Sequence, residues 1–234
     1  MVQVLLKKIK RFFFSRKTMV FHDFYYEDFA PRYGSEEGFV LGQLRPENVS
    51  ELLPVLDLQS RNETLFAPIF DINASLARLN RGEQCFFSRA NGKLANYIWF
   101  CPNDKHIPEI QCTLRLRPDE VYVYNAYVIP EYRKKNINVL VHDFARSRMI
   151  EAGFNREIIA RMVWNTRADH VLQEKLGARA IGSVTVGFFL SFRYVIRNVE
   201  GVELIDEAGP FELYRKLFQK IRDIWRTSEA EVSH

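Results

Sequence analysis

Hydrophobic and polar positions recur with strand or helix spacing along most of the chain after residue 37. From Gly38, "GFVLGQL" predicts a strand, and "RPENVSELLPVLDLQS" predicts a helix that Pro54 must interrupt or kink. The stretch "DINASLARLNRG" predicts a second short helix, with Asp71 as its N-cap and Gly82 at its end. The front of the chain is therefore predicted to be one strand followed by two helices.

A β-hairpin is predicted next, in "EQCFFSRANGKLANYIWFC". Two apolar runs flank Asn91 and Gly92, and Asn-Gly between such runs is the strongest short hairpin signal. The following "IQCTLRL" either pairs as another strand or forms an insertion.

The second half of the chain alternates strands with helices. After Pro118, "EVYVYNAYVI" is strongly β-prone, and "NVLVHDFARSRMIEAG" predicts a helix that ends at Gly153. A strand "EIIARMVW", a short helix "NTRADHVLQEKLG" and a strand pair "ARAIGSVTVGFFLSFRYVIR" follow. This order predicts an α/β (α+β) fold with a central sheet and helices on both faces.

Both ends of the chain carry amphipathic patterns. Residues 2–17 predict a basic amphipathic helix, which suits anionic lipid, an acidic protein partner or packing on its own domain. Residues 19–35 read as an irregular aromatic arm that packs on the body or covers a cleft. Residues 211–225 form one apolar helical stripe, typical of core or dimer contact. We therefore predict three parts: a basic helix with its aromatic arm (1–35), a globular domain (36–200), and a C-terminal helix packed on the domain or on a partner (201–234), which keeps a homodimer open.

Composition narrows the functional classes. The net charge is +4, with 47% hydrophobic and 26% charged residues, as in ordinary globular proteins. Three cysteines lack metal-ligand spacing, which indicates reduced thiols, a cytoplasmic compartment and no metal site. No apolar run is long enough to span a bilayer, although the basic N-terminus would suit the inner face of a membrane. Basic residues do not interleave with aromatics on a predicted sheet, so nucleic acid is not an expected partner.

The segment "VIPEYRKKNIN", residues 128–138, carries a family resemblance. It resembles the GNAT superfamily of N-acetyltransferases, in which a Val-x-Pro strand end leads into Arg/Gln-x-x-Gly-x-Gly/Ala at a helix start. Val128, Pro130 and Arg133 match this motif, whereas Asn136 and Asn138 stand at the two glycine positions. The order of elements is similar from about Gly38 to Arg197, which implies a mixed, mostly antiparallel twisted sheet.

The resemblance implies that an acyl-CoA, most simply acetyl-CoA, is the co-substrate. Backbone N–H groups at a helix start form an anion site, and asparagine is the best non-glycine residue where φ is positive. Pantetheine would lie along the strand near Tyr127, Val128 and Ile129, between two parallel strands. The pyrophosphate would lie on the loop, and Asn165 would contact pantetheine or cap the next helix. The loop residues are Arg133, Lys134, Lys135, Asn136, Ile137 and Asn138.

The same resemblance implies direct attack of an amine on the thioester, with no cysteine nucleophile. The tyrosine acid of many family members is replaced by Leu172, and one extra residue precedes Gly177. Tyr124, Tyr127 or water would then supply the proton. Strand alternation predicts that Tyr124 and Tyr127 face opposite sides, and we favour Tyr124 as the acid or as an acceptor-orienting group. Glu120 is a candidate general base.

Three functions are consistent with these residues. The first is transfer of an acetyl group from acetyl-CoA to the primary amine of a small molecule. The second is transfer of a long acyl chain from an acyl carrier protein, which the basic N-terminus would suit. The third is a noncatalytic binding module of the same fold, for which the missing glycines and tyrosine argue.

Overall fold

The computed structural model describes residues 14–31, 38–62, 72–189 and 192–206. The strands in these ranges are β1 Phe14–Tyr25, β2 Phe39–Gln43, β3 Gln84–Ala90, β4 Lys93–Cys101, β5 Lys105–Ile107, β6 Cys112–Arg115, β7 Glu120–Val128, β8 Arg156–Met162, β9 Arg179–Phe189, β10 Phe192–Val199 and β11 Glu203–Asp206. The α-helices are α1 Leu53–Asn62, α2 Ile72–Asn80, α3 Ile137–Glu151 and α4 Thr166–His170. Short 3₁₀ segments cover Tyr26–Asp28, Pro46–Leu52 and Pro130–Tyr132, and a π-helical turn covers Val171–Lys175.

Eight strands form the main sheet, in the order β10-β9-β1-β8-β7-β4-β3-β2. All neighbours are antiparallel except β7 and β8, which are parallel. The Asn91-Gly92 turn joins β3 to β4 with positive φ at both residues, as predicted. The expected mixed, mostly antiparallel sheet with helices on both faces is confirmed.

The side chains of the sheet divide between two faces because they alternate along each strand. On one face, Ile98 and Phe100 of β4 join the core cluster that includes α3 and the π-helical turn. On the other face, Tyr97 and Trp99 pack beneath the 3₁₀ segment Pro46–Leu52 and the helices α1 and α2. A second sheet, β11-β6-β5, covers the remaining part of that face through Leu114 and neighbouring residues.

The predicted aromatic arm is wrong, because β1 lies inside the main sheet between β9 and β8. Met19 and Phe21 are buried on one face, whereas His22 and Phe24 are buried on the other. A strand that is buried on both faces has no simple alternation of polar and apolar residues, so its sequence did not read as a strand. Arg156 also donates to Asp23, at 2.8 Å from Nη2 to Oδ2, which fixes β1 to β8.

The end segments differ in part from the prediction. Residues 14–17 belong to β1, so the basic helix expected over residues 2–17 does not extend through them; residues 1–13 lie outside the described residues. The C-terminal stripe at 211–225 also lies outside them. β11, which we had placed in the C-terminal segment, pairs with β6 of the body. The membrane and carrier-protein expectations thus rest mainly on residues outside the described ranges.

Removing residues 1–17 is expected to lower the midpoint of thermal unfolding by several degrees. The deletion takes away the residues of β1 that pair with Val186–Phe189 of β9. Deletion of residues 1–13 is the control because it leaves all of β1. Equal midpoints for the two truncated proteins would contradict a structural role for the start of β1.

Candidate functional site

The parallel strands β7 and β8 pair only at their first halves. The ladder joins Glu120–Val123 to Arg156–Ile159, and both strands then continue without a partner residue on the other strand. Among the described strands, this is the parallel pair, and it leaves an opening beside the later part of β7. The arrangement agrees with the expected opening between two parallel strands.

A β-bulge in β7 determines which of its side chains share a face of the sheet. Tyr97 is the Cα partner of Tyr127 and Trp99 is the Cα partner of Tyr124, so two residues of β7 oppose one residue of β4. Asn125 lies in the bulge with φ at 51°. Paired residues share a face of the sheet, and Tyr97 and Trp99 are two residues apart. Tyr124 and Tyr127 therefore lie on the same face, and our prediction of opposite faces is wrong.

The loop after β7 has a positive φ at Asn136, one of the two positions where asparagine replaces the family's glycine. Asn136 immediately precedes α3 in the left-handed region, with φ at 55° and ψ at 9°. Lys134 also has a positive φ, of 67°, whereas Asn138 lies inside α3 with no positive φ. The dihedral argument thus holds for Asn136 and not for Asn138. The first N–H groups of a helix lack intrahelical acceptors, so the start of α3 offers donors to an anion.

Positive charge surrounds the start of α3. Arg133, Lys134 and Lys135 are exposed on the loop. Lys175, from the π-helical turn, donates from Nζ to Oδ1 of Asn136. Sequence reasoning missed Lys175, although the extra residue before Gly177 was the available signal, since a one-residue insertion in a helix commonly produces a π-helical turn.

The loop fits the phosphate end of an acyl-CoA, whereas part of the expected pantetheine surface is already used. The left-handed Asn136 and the cationic side chains around it can bind an anionic phosphate. On β7, however, Nε of Arg133 donates to the Val128 carbonyl oxygen at 3.1 Å. The N–H of Ile129 donates to the carbonyl oxygen of Ala95 at 3.0 Å. These two backbone groups are occupied in the protein alone, so pantetheine contacts must come from other groups.

Tyr124 lies in a polar cluster around the buried Glu83 carboxylate, which the sequence did not predict. Its hydroxyl donates to Oε2 of Glu83, and Lys105 donates to the same hydroxyl at 2.9 Å. Lys105 also donates to both carboxylate oxygens of Glu83, at 2.9 and 3.0 Å, and Arg81 donates at 3.0 Å. The guanidinium of Arg78 lies 5.3 Å from the centre of the Tyr124 ring. The hydroxyl of Tyr124 is therefore held between Glu83 and Lys105, two residues from different chain segments.

The cluster borders a cavity of about 530 Å³. Its lining residues are Arg81, Glu83, Cys101, Asn103, Asp104, Lys105 and His106. Opposite charges balance across this lining, so the cavity suits a small polar molecule better than a highly charged one.

Tyr124 and Glu83 have perturbed pKa values. Burial raises the pKa of Tyr124 far above its ordinary value, and its hydrogen bond to Glu83 raises that pKa further despite the opposing effect of Arg78. Burial also works to raise the pKa of Glu83, but hydrogen bonds from Tyr124, Lys105 and Arg81 outweigh it and lower that pKa. At neutral pH the phenol is protonated and the carboxylate is ionised.

Comparison with known proteins identifies the family. The model of the acetyltransferase (GNAT) family matches residues 49–178, more than half of the 234-residue chain. The chain belongs to this family. The match includes β3 to β8, α3 and the loop, whereas β1, β2 and β9 to β11 lie outside it. No curated protein sequence matches the chain significantly.

Solved structures are similar to this chain at low sequence identity. A functionally unknown conserved protein from Staphylococcus epidermidis has a TM-score of 0.52 and 12% identity, over 84% of this chain and 68% of that one. A Drosophila protein also has a TM-score of 0.52 and 12% identity, over 81% of this chain and 57% of that one. A putative GNAT acetyltransferase from Novosphingobium aromaticivorans has 16% identity and a TM-score of 0.48, over 83% and 66%. At 12% identity, the two structures with a TM-score of 0.52 support a similar fold alone.

Glu120 in this GNAT chain does not have the surroundings of a general base. It begins β7, at the end where β7 and β8 are still paired, and is 3% exposed. Its Oε1 accepts from Nη1 of Arg156 at 2.7 Å, and its Oε2 accepts from the N–H of Arg117 at 2.9 Å. A carboxylate bound in this way holds strands together, so the general-base prediction for Glu120 is not supported by its surroundings.

Three further predicted positions have clear surroundings in the GNAT fold. Asn165 caps α4, accepting from the N–H of Ala168 at 3.2 Å, which is the second of its two expected roles. Leu172, at the position of the tyrosine acid in many family members, is 6% exposed and packs in the core beneath α3. The three cysteines are buried, and burial raises the pKa of each thiol, which disfavours a thiolate nucleophile.

The described helices include none that is both long enough and apolar enough to cross a bilayer.

Proposed function

We propose that this protein is an N-acetyltransferase that moves an acetyl group from acetyl-CoA to the primary amine of a small molecule. The observation that carries the proposal is the separation of β7 from β8 beside a left-handed Asn136 at the start of α3. Family membership supports the reaction class.

The chain's residues divide into a donor side and an acceptor side. On the donor side, the start of α3, the exposed loop cations and Lys175 would hold the pyrophosphate. On the acceptor side, the cavity beside Tyr124, Glu83 and Lys105 would hold the amine. When bound, acetyl-CoA supplies an activated thioester, and β7 connects the two sides.

The reaction needs no covalent bond to the protein. The lone pair of the neutral amine forms the C–N bond, the C–S bond breaks, the amine nitrogen loses one proton, and the departing sulfur gains one. The proton of Tyr124 is already directed to Glu83, and its raised pKa makes it a weak acid. Of the two roles predicted for Tyr124, this geometry favours orienting the acceptor amine, with water carrying the proton to sulfur.

Turnover assays would test the proposal. The protein would be incubated with acetyl-CoA and amino sugars, amino acids or polyamines, and thiol release and acetylated product would be measured. Calorimetry with acetyl-CoA and longer acyl-CoAs would establish donor binding first. A protein that binds no acyl-CoA would contradict the proposal and favour a noncatalytic module.

Asn136→Val is expected to weaken acetyl-CoA binding roughly tenfold, whereas Asn136→Gly is expected to preserve or strengthen it. A β-branched residue opposes the positive φ that the cradle needs, and glycine does not. Calorimetric titration would measure both dissociation constants.

Asn91→Val is the matched control for backbone strain. Asn91 also has a positive φ, of 52°, but it lies in the β3–β4 turn. If Asn136→Val bound acetyl-CoA as the wild type does, the phosphate-cradle assignment would be wrong.

A further inference from the structure

The hydroxyl of Tyr127 is buried without a hydrogen-bond partner among the residues that the structure describes. Tyr127 is 3% exposed and packs in the cluster beneath α1 and α2. Its strand neighbour Tyr97 is equally buried, but the Tyr97 hydroxyl donates to Oε1 of Gln59. Their ring centroids lie 6.3 Å apart. Two adjacent buried phenols thus differ in that only one hydroxyl is satisfied by the described protein.

The side-chain amide of Asn125 is a second buried donor without a partner among the described residues. Its Oδ1 lies 3.5 Å from the Tyr97 hydroxyl, whereas its Nδ2 is buried with no partner in the described part of the chain. Asn125 occupies the bulge of β7 with φ at 51°. A bulge is tolerated where it redirects a side chain, and bulges are frequent beside active sites.

Both groups lie between the donor side and the acceptor side of the proposed site. Along β7, Asn125 and Tyr127 follow Tyr124, whose hydroxyl contacts the cavity-lining Glu83 and Lys105, and they precede the loop. The Arg133 guanidinium lies 5.8 Å from the centre of the Tyr127 ring. They also follow Val123, where the β7–β8 ladder ends. A molecule that reached from the loop to Tyr124 would pass these two residues.

An unsatisfied buried hydroxyl destabilises a folded protein, because folding removes its hydrogen bonds to water without replacement. Phenylalanine would fill the same space without that cost. A tyrosine whose hydroxyl has no partner among the described residues is explained if that hydroxyl is satisfied when a reactant binds.

We infer that the Tyr127 hydroxyl and the Asn125 amide form a binding site for a hydrogen-bond-accepting oxygen, a carbonyl or a hydroxyl, of a reactant that lies along β7. The inference rests on the proposed acyltransferase function. The oxygen belongs either to the acyl donor or to the amine acceptor. The two orphaned groups are uncharged, so the site suits an uncharged oxygen.

Tyr127→Phe tests the inference against Tyr97→Phe as its matched control. We expect Tyr127→Phe to leave the midpoint of thermal unfolding unchanged or raise it, because it removes an unsatisfied group. Tyr97→Phe should lower the midpoint, because it leaves Gln59 without that hydrogen bond. A Tyr127→Phe midpoint lowered as far as that of Tyr97→Phe would overturn the inference, since the hydroxyl would then have a partner in the free protein.

Binding and kinetics identify the source of the oxygen. Tyr127→Phe should raise either the dissociation constant of acetyl-CoA or the KM of the best acceptor amine by about tenfold. The first result assigns the oxygen to the donor, and the second assigns it to the acceptor. Asn125→Gly, which keeps the positive φ, should change the same quantity in the same direction.

The closing experiment separates the two hypotheses. If the wild type binds no acyl-CoA, the proposed function fails. If the wild type binds and transfers while Tyr127→Phe changes neither constant, the proposed function stands and this inference is wrong.

Discussion

Replacing Tyr124 by phenylalanine is expected to lower turnover by about tenfold or more while leaving acetyl-CoA affinity nearly unchanged. The substitution removes the hydroxyl that contacts both Glu83 and Lys105 and keeps the ring. The acceptor amine would then lose its orienting group, whereas the loop at Asn136 would be untouched. Steady-state kinetics and calorimetric titration would measure the two quantities.

Tyr122→Phe is the control for this prediction. The Tyr122 ring stacks on the Tyr124 ring, with centroids 5.7 Å apart, and Tyr122 is 5% exposed in the neighbouring cluster. It therefore tests the loss of a nearby buried hydroxyl outside the Glu83 and Lys105 cluster. Unchanged turnover in Tyr124→Phe would reject its role and leave water to orient and protonate the reactants.

Replacing Glu157 by glutamine is expected to lower the free energy of unfolding by about 3 to 5 kcal/mol. Glu157, on β8, is fully buried and accepts from Nε2 of His142 at 3.1 Å and from the Arg146 guanidinium. Arg146, on α3, is 2% exposed and donates to the carbonyl oxygen of Leu176 at 2.9 Å. Glutamine would remove the counter-charge that binds that buried guanidinium directly and leave the more distant Asp143 carboxylate, 3.9 Å from Nη1. Urea unfolding at neutral pH would measure the loss.

An exposed pair on the same helix provides the control. Glu151 pairs with Arg148 at 2.7 Å, with side chains 64% and 50% exposed. Glu151→Gln should therefore change the unfolding free energy by less than about 1 kcal/mol. Equal losses in the two variants would contradict the special role of the buried pair.

The Glu157 interaction also predicts how stability depends on pH. Burial opposes ionisation of Glu157, but Arg146 and His142 outweigh it and lower its pKa from 4.5 to about 2. A carboxyl group whose pKa is lower in the folded state stabilises the protein fully at pH values above its unfolded-state pKa. This stabilisation is lost as the pH falls toward the folded-state pKa. Wild-type stability should therefore decrease between about pH 4.5 and 2, and this contribution, roughly 3 kcal/mol, should be absent from Glu157→Gln.

Local patterns predicted most of the elements between residues 38 and 200. The Asn91-Gly92 turn could be predicted because its dihedral preference depends on two neighbouring residues alone. The left-handed Asn136 could be predicted for the same reason, once the motif placed it at a helix start. The absence of a tyrosine hydroxyl at position 172 could be read directly from the sequence, since that residue is leucine.

Contacts between distant segments could not be predicted in this way. β1 lies between two strands that are more than 130 residues away, and its alternation is hidden because both faces are buried. The bulge at Asn125 inserts one residue into the ladder with β4, and no local signal showed that Tyr124 and Tyr127 would share a face.

The sequence by itself determined most elements between residues 38 and 200, the positive φ at Asn136 and the family, because these depend on residues that are close along the chain. The tertiary structure alone decided that Glu83 and Lys105 meet Tyr124, that Lys175 reaches Asn136, and that Glu120 binds Arg156. Each of these contacts joins residues from different strands, helices or loops. The protonation and hydrogen bonding of these groups depend on their burial and on the partners that the folded sheet brings to them. Residue spacing along the chain predicts neither.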